Sequence, residues 1–255
     1  VEYWASRFRQ SLEEPVLVLF IKKLDLDLLA SFIGAMKAGH LPSQISPPSV
    51  KSSHSEYQRR IQHILEMTGA GAVVADPGGF EAPEGVHVFT SEGHRPGMGR
   101  PCAKSSDSAL VQFSSGSTGL QKGVVLTHSA IAAHMRHYAP ALQLSSDDRV
   151  VTWLPLYHDM GLIACYLMPL MCGVPFYQMD PFDWLIQPDL LLQTIEAKKA
   201  TVCFLPNFAY HLLASKGKAH DLGSMRLFVN CSEPARRSSH ERFLSKHPST
   251  PAGSL

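Results

Sequence analysis

Short β-rich apolar runs alternate with segments of helical periodicity along most of this chain, and this alternation limits the possible folds more than any other feature. The run at residues 16–21 is followed by apolar residues at helical spacing from Leu28 to Met36, and Gly39 is a typical helix end. The same patterns predict strands at 72–75, 109–113, 149–154, 174–178, 201–205 and 226–230. They also predict a helix that has residues 57–65 on its apolar face and ends at Gly69, helices at 161–171 and 238–246, a helix from Ser129, and a helix with Pro188 as its first residue. They indicate an α/β fold with largely parallel sheets flanked by helices.

Two stretches lack this alternation. Residues 41–54 are rich in Pro and Ser, which predicts a loop. Residues 76–108 are dominated by Gly, Pro and polar residues, so we expect a loosely ordered connection there with one strand at 86–89.

The composition argues against several classes of protein. The chain has 255 residues, 45% of them hydrophobic, and its 23 Lys plus Arg against 22 Asp plus Glu leave a net charge of only +1. A large core is therefore possible, and no general field favours nucleic acid as a partner. The apolar runs are too short to cross a bilayer, and the five cysteines lack a C-x-x-C pair. We predict a cytoplasmic protein without a membrane span, disulfides or structural zinc.

The most informative segment is residues 110–128, LVQFSSGSTGLQKGVVLTH. Its central part, residues 114–123, contains four hydroxyl side chains, three glycines and one lysine. Glycines let backbone N–H groups approach an anion closely, hydroxyls donate hydrogen bonds, and Lys122 adds a point charge. This combination predicts a loop that binds a polyphosphate.

Other interpretations of the segment fit less well. A Walker loop needs a glycine where Gln121 stands, and a nucleophile elbow needs one where Ser115 stands. An ordinary Ser/Gly hairpin stays open as an alternative, although turns rarely contain so many of these residues or a lysine among the glycines.

The sequence SSGSTGLQKGVVLTH is similar to the phosphate-loop signature of the adenylate-forming superfamily, which includes acyl-CoA synthetases, peptide-synthetase adenylation domains and luciferases. The resemblance implies binding of ATP with Mg²⁺, and catalytic roles for Thr118 and Lys122. Gln121 stands where proline is usual, and it should be tolerated because a proline there only stiffens the loop. The nucleotide-binding residues implied by this signature are Ser114, Ser115, Gly116, Ser117, Thr118, Gly119, Lys122 and Gly123.

A second block, VTWLPLYHDMGLI at residues 151–163, resembles the acyl-site signature of fatty-acyl-AMP ligases. It implies a catalytic His158 near the substrate carboxylate, with Asp159, Met160 and Gly161 beside it. By themselves, His158 and Asp159 fit a helix cap with an exposed imidazole equally well.

Two further blocks resemble the same ligases. Residues 181–192 and 201–210 resemble the wall of the acyl pocket, where Asn207 and Tyr210 are the polar residues expected to reach the substrate. Residues 227–235, LFVNCSEPA, are similar to the strand and turn below the adenine, which implies nucleotide contacts for Ser232, Glu233 and Pro234. A strand-to-helix turn with Ser232 as N-cap explains the same residues without a ligand.

The resemblance implies ATP-dependent activation of a fatty acid to acyl-AMP with release of pyrophosphate, for transfer to an acyl carrier protein or to CoA. The chain begins with Val1 rather than methionine and stops soon after its last predicted helix, so we expect residues 1–255 to be part of the large domain without the small C-terminal one. We expect this polypeptide alone to be inactive. A catalytically incomplete paralogue that binds nucleotide or a partner is the alternative.

The histidines could also suggest a metal site. His134 and His137 lie three residues apart on a predicted helix, but no carboxylate partner or H-E-x-x-H pattern accompanies them. We assign them to a solvated helix face and predict no metal bound by protein ligands alone.

Overall fold

The alternating pattern becomes parallel sheets flanked by helices, which confirms the predicted α/β class. The computed structural model describes residues 1–47, 53–91, 104, 107–114, 122–251 and 253–255. These residues divide into two compact units, Val1–His134 and Met135–Leu255.

The first unit is built on a sheet that is parallel throughout. In chain order its elements are α1 (Glu2–Ser11), β1 (Leu17–Phe20), α2 (Leu26–Ala38), β2 (Leu41–Gln44), α3 (His54–Thr68), β3 (Ala72–Val74), β4 (His87–Phe89), β5 (Ser108–Ser114), β6 (Lys122–Thr127) and α4 (His128–Ala141), in which the division falls. The sheet has the order β2-β1-β3-β4, while β5 and β6 form an antiparallel hairpin.

Helix α3 shows how local sequence and packing agree in this unit. Ser53 Oγ accepts a hydrogen bond from Glu56 N at 3.2 Å, and the Glu56 carboxylate accepts one from Ser53 N at 2.8 Å, so a capping box starts the helix. Gly69, with φ of 63°, ends it in the left-handed region. The apolar face contributes Ile61 to the same buried cluster as Val73 of the sheet, and each such side chain adds about 1.5–3 kcal/mol of hydrophobic stabilisation.

Strand β2 corrects the predicted loop at residues 41–54. Leu41–Gln44 pairs in parallel with β1, with Leu41 opposite Leu17 and Pro42 opposite Val18. Proline lacks the N–H that a central strand needs, but β2 is at the edge of its sheet, where the missing donor costs little. The polar Ser43 and Gln44 are nonetheless buried, so the hydrophobic pattern of the sequence does not predict this strand.

The second unit has its own parallel sheet, in the order β10-β9-β7-β8. Its elements are β7 (Val150–Thr152), a π-helix (Met160–Leu167), α5 (Met168–Cys172), β8 (Phe176–Gln178), α6 (Pro181–Ile186), α7 (Asp189–Lys198), β9 (Val202–Pro206), α8 (Asn207–Lys216), β10 (Leu227–Cys231) and α9 (Arg237–Lys246).

The start of α7 and the presence of α6 differ from the sequence prediction. Pro188 is the N-cap of α7 rather than its first residue. Helix α6, which the periodicity does not predict, is only six residues long, and Asp180 Oδ1 caps it by accepting from Phe182 N at 2.8 Å. A helix shorter than two turns is too short to show helical periodicity.

Among the described residues, no helix is long and apolar enough to cross a membrane. Cys165 and Cys203 are fully buried, and burial raises the pKa of the Cys165 thiol to about 12. These thiols therefore pack as small apolar groups.

Candidate active site

Strands β5 and β6 hold the two ends of the predicted phosphate loop side by side. Ser114, the last residue of β5, pairs directly with Lys122, the first residue of β6. The linking segment contains the predicted Ser115, Gly116, Ser117, Thr118 and Gly119, which lie outside the described residues. The described part is therefore the base of a hairpin, with an exposed lysine at one end of the link.

Gly123 has a packing role in this hairpin. A Cβ atom added there would lie 3.2 Å from Val111 Cγ1 and 3.3 Å from Phe113 Cε1, tighter than ordinary van der Waals contact. Leu110 of β5 is fully buried, whereas β6 is exposed along its first four residues. The glycine thus lets the exposed strand lie close against the side chains of its partner strand.

His158 and Asp159 follow strand β7 and form a pair. His158 Nδ1 lies 2.7 Å from Asp159 Oδ1, and the same oxygen accepts a hydrogen bond from Met160 N at 2.7 Å. The two side chains are 51% and 72% exposed. The carboxylate therefore caps the following helix and also orients the imidazole through Nδ1, which leaves Nε2 for a bound group.

The helix after Asp159 is a π-helix for its first eight residues, although the apolar pattern predicts an α-helix over residues 161–171. A Cβ atom added at Gly161 would lie only 2.1 Å from Pro155 O. Glycine is therefore needed for the turn after β7 to pack on this helix. π-Helical turns are frequent at functional sites, and periodicity does not distinguish them from α-helix.

Two hydrogen bonds join the turns that follow β9 and β10. Asn207 Oδ1 accepts from Arg236 N at 2.9 Å, and Glu233 Oε1 accepts from Phe208 N in the first turn of α8. Asn207 is buried, so its carbonyl serves this connection, whereas Glu233 is exposed. The structure thus brings these two predicted site residues together at the carboxyl ends of adjacent parallel strands.

Ser232 and Pro234 belong to the same turn, and both are exposed. Ser232 has φ of +70°, in the left-handed region, and Arg236 is the N-cap of α9. The interpretation of Ser232 as an N-cap is wrong, because residues 232–235 separate the strand from the helix.

Tyr210 lies in the aromatic core of the second unit. Its ring is 5.5 Å from that of Phe243 and 6.3 Å from that of Phe228, and the side chain is fully buried. Burial raises the pKa of its hydroxyl, for which the described residues offer no hydrogen-bond partner. The structure therefore separates Tyr210 from the exposed Glu233 and Phe208.

The β5–β6 hairpin at the ends of the predicted phosphate loop and the polar residues at parallel strand ends agree with the sequence resemblance. A family model described as AMP-binding enzyme matches residues 5–253. The chain belongs to this family of AMP-binding enzymes. The resemblance to the adenylate-forming superfamily is confirmed.

Several curated relatives of this AMP-binding chain are named as fatty-acid ligases. The medium-chain fatty-acid–acyl-carrier-protein ligase JamA of Moorena producens is 36% identical over 151 residues, which are 57% of this chain and 26% of JamA. The long-chain-fatty-acid–AMP ligase FadD32 of Mycolicibacterium smegmatis is 29% identical over 269 residues, covering 94% of this chain and 41% of FadD32. The chain spans less than half the length of these relatives.

A solved structure of similar fold is the fatty acyl-adenylate ligase from L. pneumophila in complex with acyl adenylate and pyrophosphate. It superposes with a TM-score of 0.86 and 27% identity, covering 96% of this chain and 45% of that one. The fold of the AMP-binding chain therefore matches the corresponding part of a longer enzyme.

The side chains fit the nucleotide that AMP-binding enzymes use. Lys122 is an exposed cation at the hairpin base, suited to phosphate oxygens. Within the described ranges, no group of three or more His, Cys, Asp or Glu residues could hold a metal ion. Mg²⁺ needs no such cage, because it keeps several waters and binds through phosphate oxygens with one or two carboxylates.

Proposed function

We propose that this chain is part of an enzyme that activates a fatty acid with ATP, forming acyl-AMP and releasing pyrophosphate. The observation that carries the proposal is the β5–β6 hairpin, which pairs Ser114 with Lys122 at the ends of a segment rich in Ser, Thr and Gly. Membership of the AMP-binding family and the fatty-acid ligases among its relatives support it.

In the proposed reaction, a fatty-acid carboxylate oxygen attacks the α-phosphorus of ATP. The bond from this phosphorus to the bridging oxygen breaks, and the electron pair leaves with pyrophosphate. Lys122, with the hydroxyls and amides of residues 114–123, stabilises the negative charge that develops on the departing phosphates. When bound, Mg²⁺ supplies further neutralisation of those oxygens.

His158 is proposed to position the fatty-acid carboxylate. Asp159 accepts a hydrogen bond from Nδ1–H, so the imidazolium form of His158 can donate Nε2–H to a carboxylate oxygen. This contact fixes the angle of attack, and removing it should lower kcat more than it raises KM.

We propose an acyl carrier protein as the acceptor of the activated acyl group. The support comes from two relatives named as acyl-carrier-protein ligases, JamA and TtuA of Teredinibacter turnerae, each 36% identical over more than half of this chain. CoA is the other possible acceptor and is an arm of the test.

The test measures ATP–pyrophosphate exchange driven by fatty acids of several lengths, in the protein that contains this chain. Because Lys122 acts on charge in the transition state, Lys122→Ala should lower exchange by about 100-fold or more. Lys246→Ala removes an exposed lysine from α9 and should leave the rate unchanged.

Equal rates in the two variants would refute the assigned role of Lys122. Nucleotide binding without any exchange, by a protein with an intact C-terminal domain, would favour the catalytically incomplete paralogue. Addition of carrier protein or CoA after acyl-AMP has formed identifies the acceptor, and thioester formed with CoA alone would refute the carrier-protein proposal.

A further inference from the structure

Three aromatic rings meet at the carboxyl edge of the second sheet. Trp153 directly follows β7, Trp184 belongs to α6 after β8, and Phe208 lies in the first turn of α8 after β9. Strand β7 pairs in parallel with both β8 and β9, so the three elements leave the sheet at the same edge. Parallel α/β sheets usually bind their ligands at this edge.

The three rings pack as one group that reaches the surface. The two indoles are stacked, with ring centroids 3.8 Å apart and planes 4° from parallel. Phe208 contacts both rings edge-on, at centroid distances of 5.9 Å from Trp153 and 6.2 Å from Trp184. Both indoles are buried, whereas Phe208 is 45% exposed. The group is therefore closed at the indole end and open at the phenylalanine end.

This aromatic group adjoins residues of the candidate site. Phe208 N donates to Glu233 Oε1 in the turn after β10. Trp153 begins a short segment that turns at Pro155, where His158 N donates to Pro155 O at 3.1 Å, and that ends at His158. Two of the three rings also belong to the blocks that resemble the wall of an acyl pocket. The aromatic group therefore has the position of a wall in the proposed acyl pocket.

Both indole N–H groups are buried without an acceptor. Among the described residues, neither Trp153 Nε1 nor Trp184 Nε1 has a hydrogen-bond partner. An indole N–H can only donate, and a buried one usually has an acceptor, because leaving it unpaired is costly. By contrast, Trp4, the third tryptophan of the chain, donates to Asp27 Oδ1 at 3.3 Å. The stacked pair therefore offers two donors that a bound molecule could satisfy.

An unpaired acceptor lies at the same edge of the sheet. Gln178, the last residue of β8, is opposite Thr152 in the strand register and donates from Nε2 to Leu154 O at 2.8 Å. Its Oε1 atom is buried and has no partner in the part of the chain that the structure describes. A hydroxyl group both accepts and donates, so a hydroxyl can pair with an indole N–H and with this oxygen. A ketone could satisfy only the donors.

We propose that Trp153 and Trp184 determine the specificity of the acyl pocket and select a fatty acid with a hydroxyl group on its chain. The hydroxyl oxygen accepts from an indole N–H, its O–H donates to Gln178 Oε1, and the methylene groups pack against the aromatic rings. An unsubstituted chain leaves these polar groups unpaired, and a site with unpaired polar groups discriminates against such an analogue. This inference rests on the proposed function, because it concerns the acid that the enzyme activates.

The test compares decanoate with β-hydroxydecanoate and ω-hydroxydecanoate in the protein that contains this chain. Isothermal titration calorimetry gives the affinity without turnover, and ATP–pyrophosphate exchange gives kcat/KM for the same acids. We expect at least one hydroxy acid to exceed decanoate by about tenfold in both quantities, as one or two good hydrogen bonds would produce. Equal affinities for all three acids, or no binding of any, would overturn the proposal.

Trp153→Phe and Trp184→Phe each remove an indole N–H and keep an aromatic ring in the stack. Poorer packing weakens the binding of every acid, whereas loss of a donor weakens only that of the hydroxy acid, so the ratio of the two affinities is the readout. We expect at least one variant to reduce this ratio to about twofold or less. Trp4→Phe is the matched control and should retain the full ratio. A ratio that stays unchanged in both Trp153→Phe and Trp184→Phe would overturn the proposal.

Failure of this inference can be distinguished from failure of the proposed function. Exchange that decanoate drives as well as the hydroxy acids do would refute the hydroxyl preference and leave adenylation standing. Selective binding of a hydroxy acid that drives no exchange would refute adenylation and leave the specificity of the pocket standing.

Discussion

The two parallel sheets of this protein place their buried charges at opposite ends. In the first sheet, Lys22 and Asp76 follow the carboxyl ends of β1 and β3, and Lys22 Nζ lies 3.0 Å from Asp76 Oδ1. Lys22 also bonds Asp25, the N-cap of α2. A cluster of charges thus closes the end of the sheet where parallel α/β folds usually bind ligands.

In the second sheet the corresponding charges lie at the amino ends. Asp148, Thr201 and Arg226 precede β7, β9 and β10, and Asp148 accepts from Thr201 Oγ1 at 2.7 Å and from Arg226 Nη2 at 2.9 Å. The strands are tied together there, so the carboxyl ends remain open for exposed groups such as His158 and Glu233. The same parallel topology therefore has its stabilising charges at the carboxyl ends of one sheet and at the amino ends of the other.

The largest expected effect is at the amino ends of the second sheet. Asp148→Ala removes a carboxylate that is 4% exposed and that accepts hydrogen bonds from Ser145 N, Thr201 Oγ1 and Arg226, so it should cost about 3–4 kcal/mol of the free energy of unfolding. Urea denaturation measures the change. Asp147→Ala, at the exposed neighbouring position, should change stability by less than about 0.5 kcal/mol. Similar losses in both variants would show that the ion pair does not tie these strands.

Lys22→Ala tests the closed end of the first sheet. Burial alone would lower the pKa of Lys22, but the hydrogen bonds and charges of Asp25 and Asp76 outweigh it and raise the pKa. The variant leaves two half-exposed carboxylates close together, so we expect a loss of about 2–3 kcal/mol in urea denaturation. Lys23→Ala, which retains the backbone hydrogen bond to Asp76, is the control. A loss of stability no larger than that of Lys23→Ala would show that Lys22 does not stabilise this end of the sheet.

Gly161→Ala tests the open end of the second sheet. The new Cβ would meet Pro155 O at 2.1 Å, so the turn that holds His158 must move. We expect a loss of about 2 kcal/mol, and an altered near-ultraviolet circular dichroism signal from the stacked Trp153 and Trp184 rings, 3.8 Å apart. Cys172→Ala, at the exposed end of the same helical segment, should change neither quantity. An unchanged spectrum in Gly161→Ala would show that the turn accommodates the new methyl group without moving the Trp153 and Trp184 rings.

The smallest expected effect concerns His220 and two carboxylates of helix α7. His220 bonds both Asp189 and Glu196, and although burial lowers its pKa, these carboxylates outweigh burial and raise it. A raised pKa contributes stability below the ordinary value of 6.5, and this is lost as pH rises through the folded-state pKa. Between about pH 6 and about pH 9, the free energy of unfolding should therefore fall by up to about 1 kcal/mol more in the wild type than in His220→Asn. Parallel pH profiles in thermal unfolding would refute this.

Elements with clear periodicity and stop signals can be predicted from the sequence. Strand β1, helix α2 with Gly39 and helix α3 with Gly69 appear where the pattern places them. Helix α1 is not predicted from the sequence. Trp4, Phe8 and the C-cap Leu12 lie on one buried face, but the helix is short and rich in polar residues. Short elements depend on packing more than on intrinsic propensity.

The candidate site also combines features that local sequence predicts with contacts that it does not predict. The composition of residues 114–123 indicates a phosphate loop because glycines, hydroxyls and a lysine have few other uses together. The cap formed by Asp159 is also local, since donor and acceptor are adjacent in the chain. The bonds that join Asn207 to Arg236 and Phe208 to Glu233 span more than twenty residues, and no local pattern marks them.

The sequence alone determined the fold class and the family, and it predicts the phosphate loop, because each depends on periodicity or on a compact set of neighbouring residues. Only the tertiary structure decided which polar residues meet. Parallel pairing of β9 and β10 sets α8 beside α9, and this brings His211 to Arg242. Contacts between residues far apart in the chain arise from the register and packing of whole elements, which local sequence does not encode.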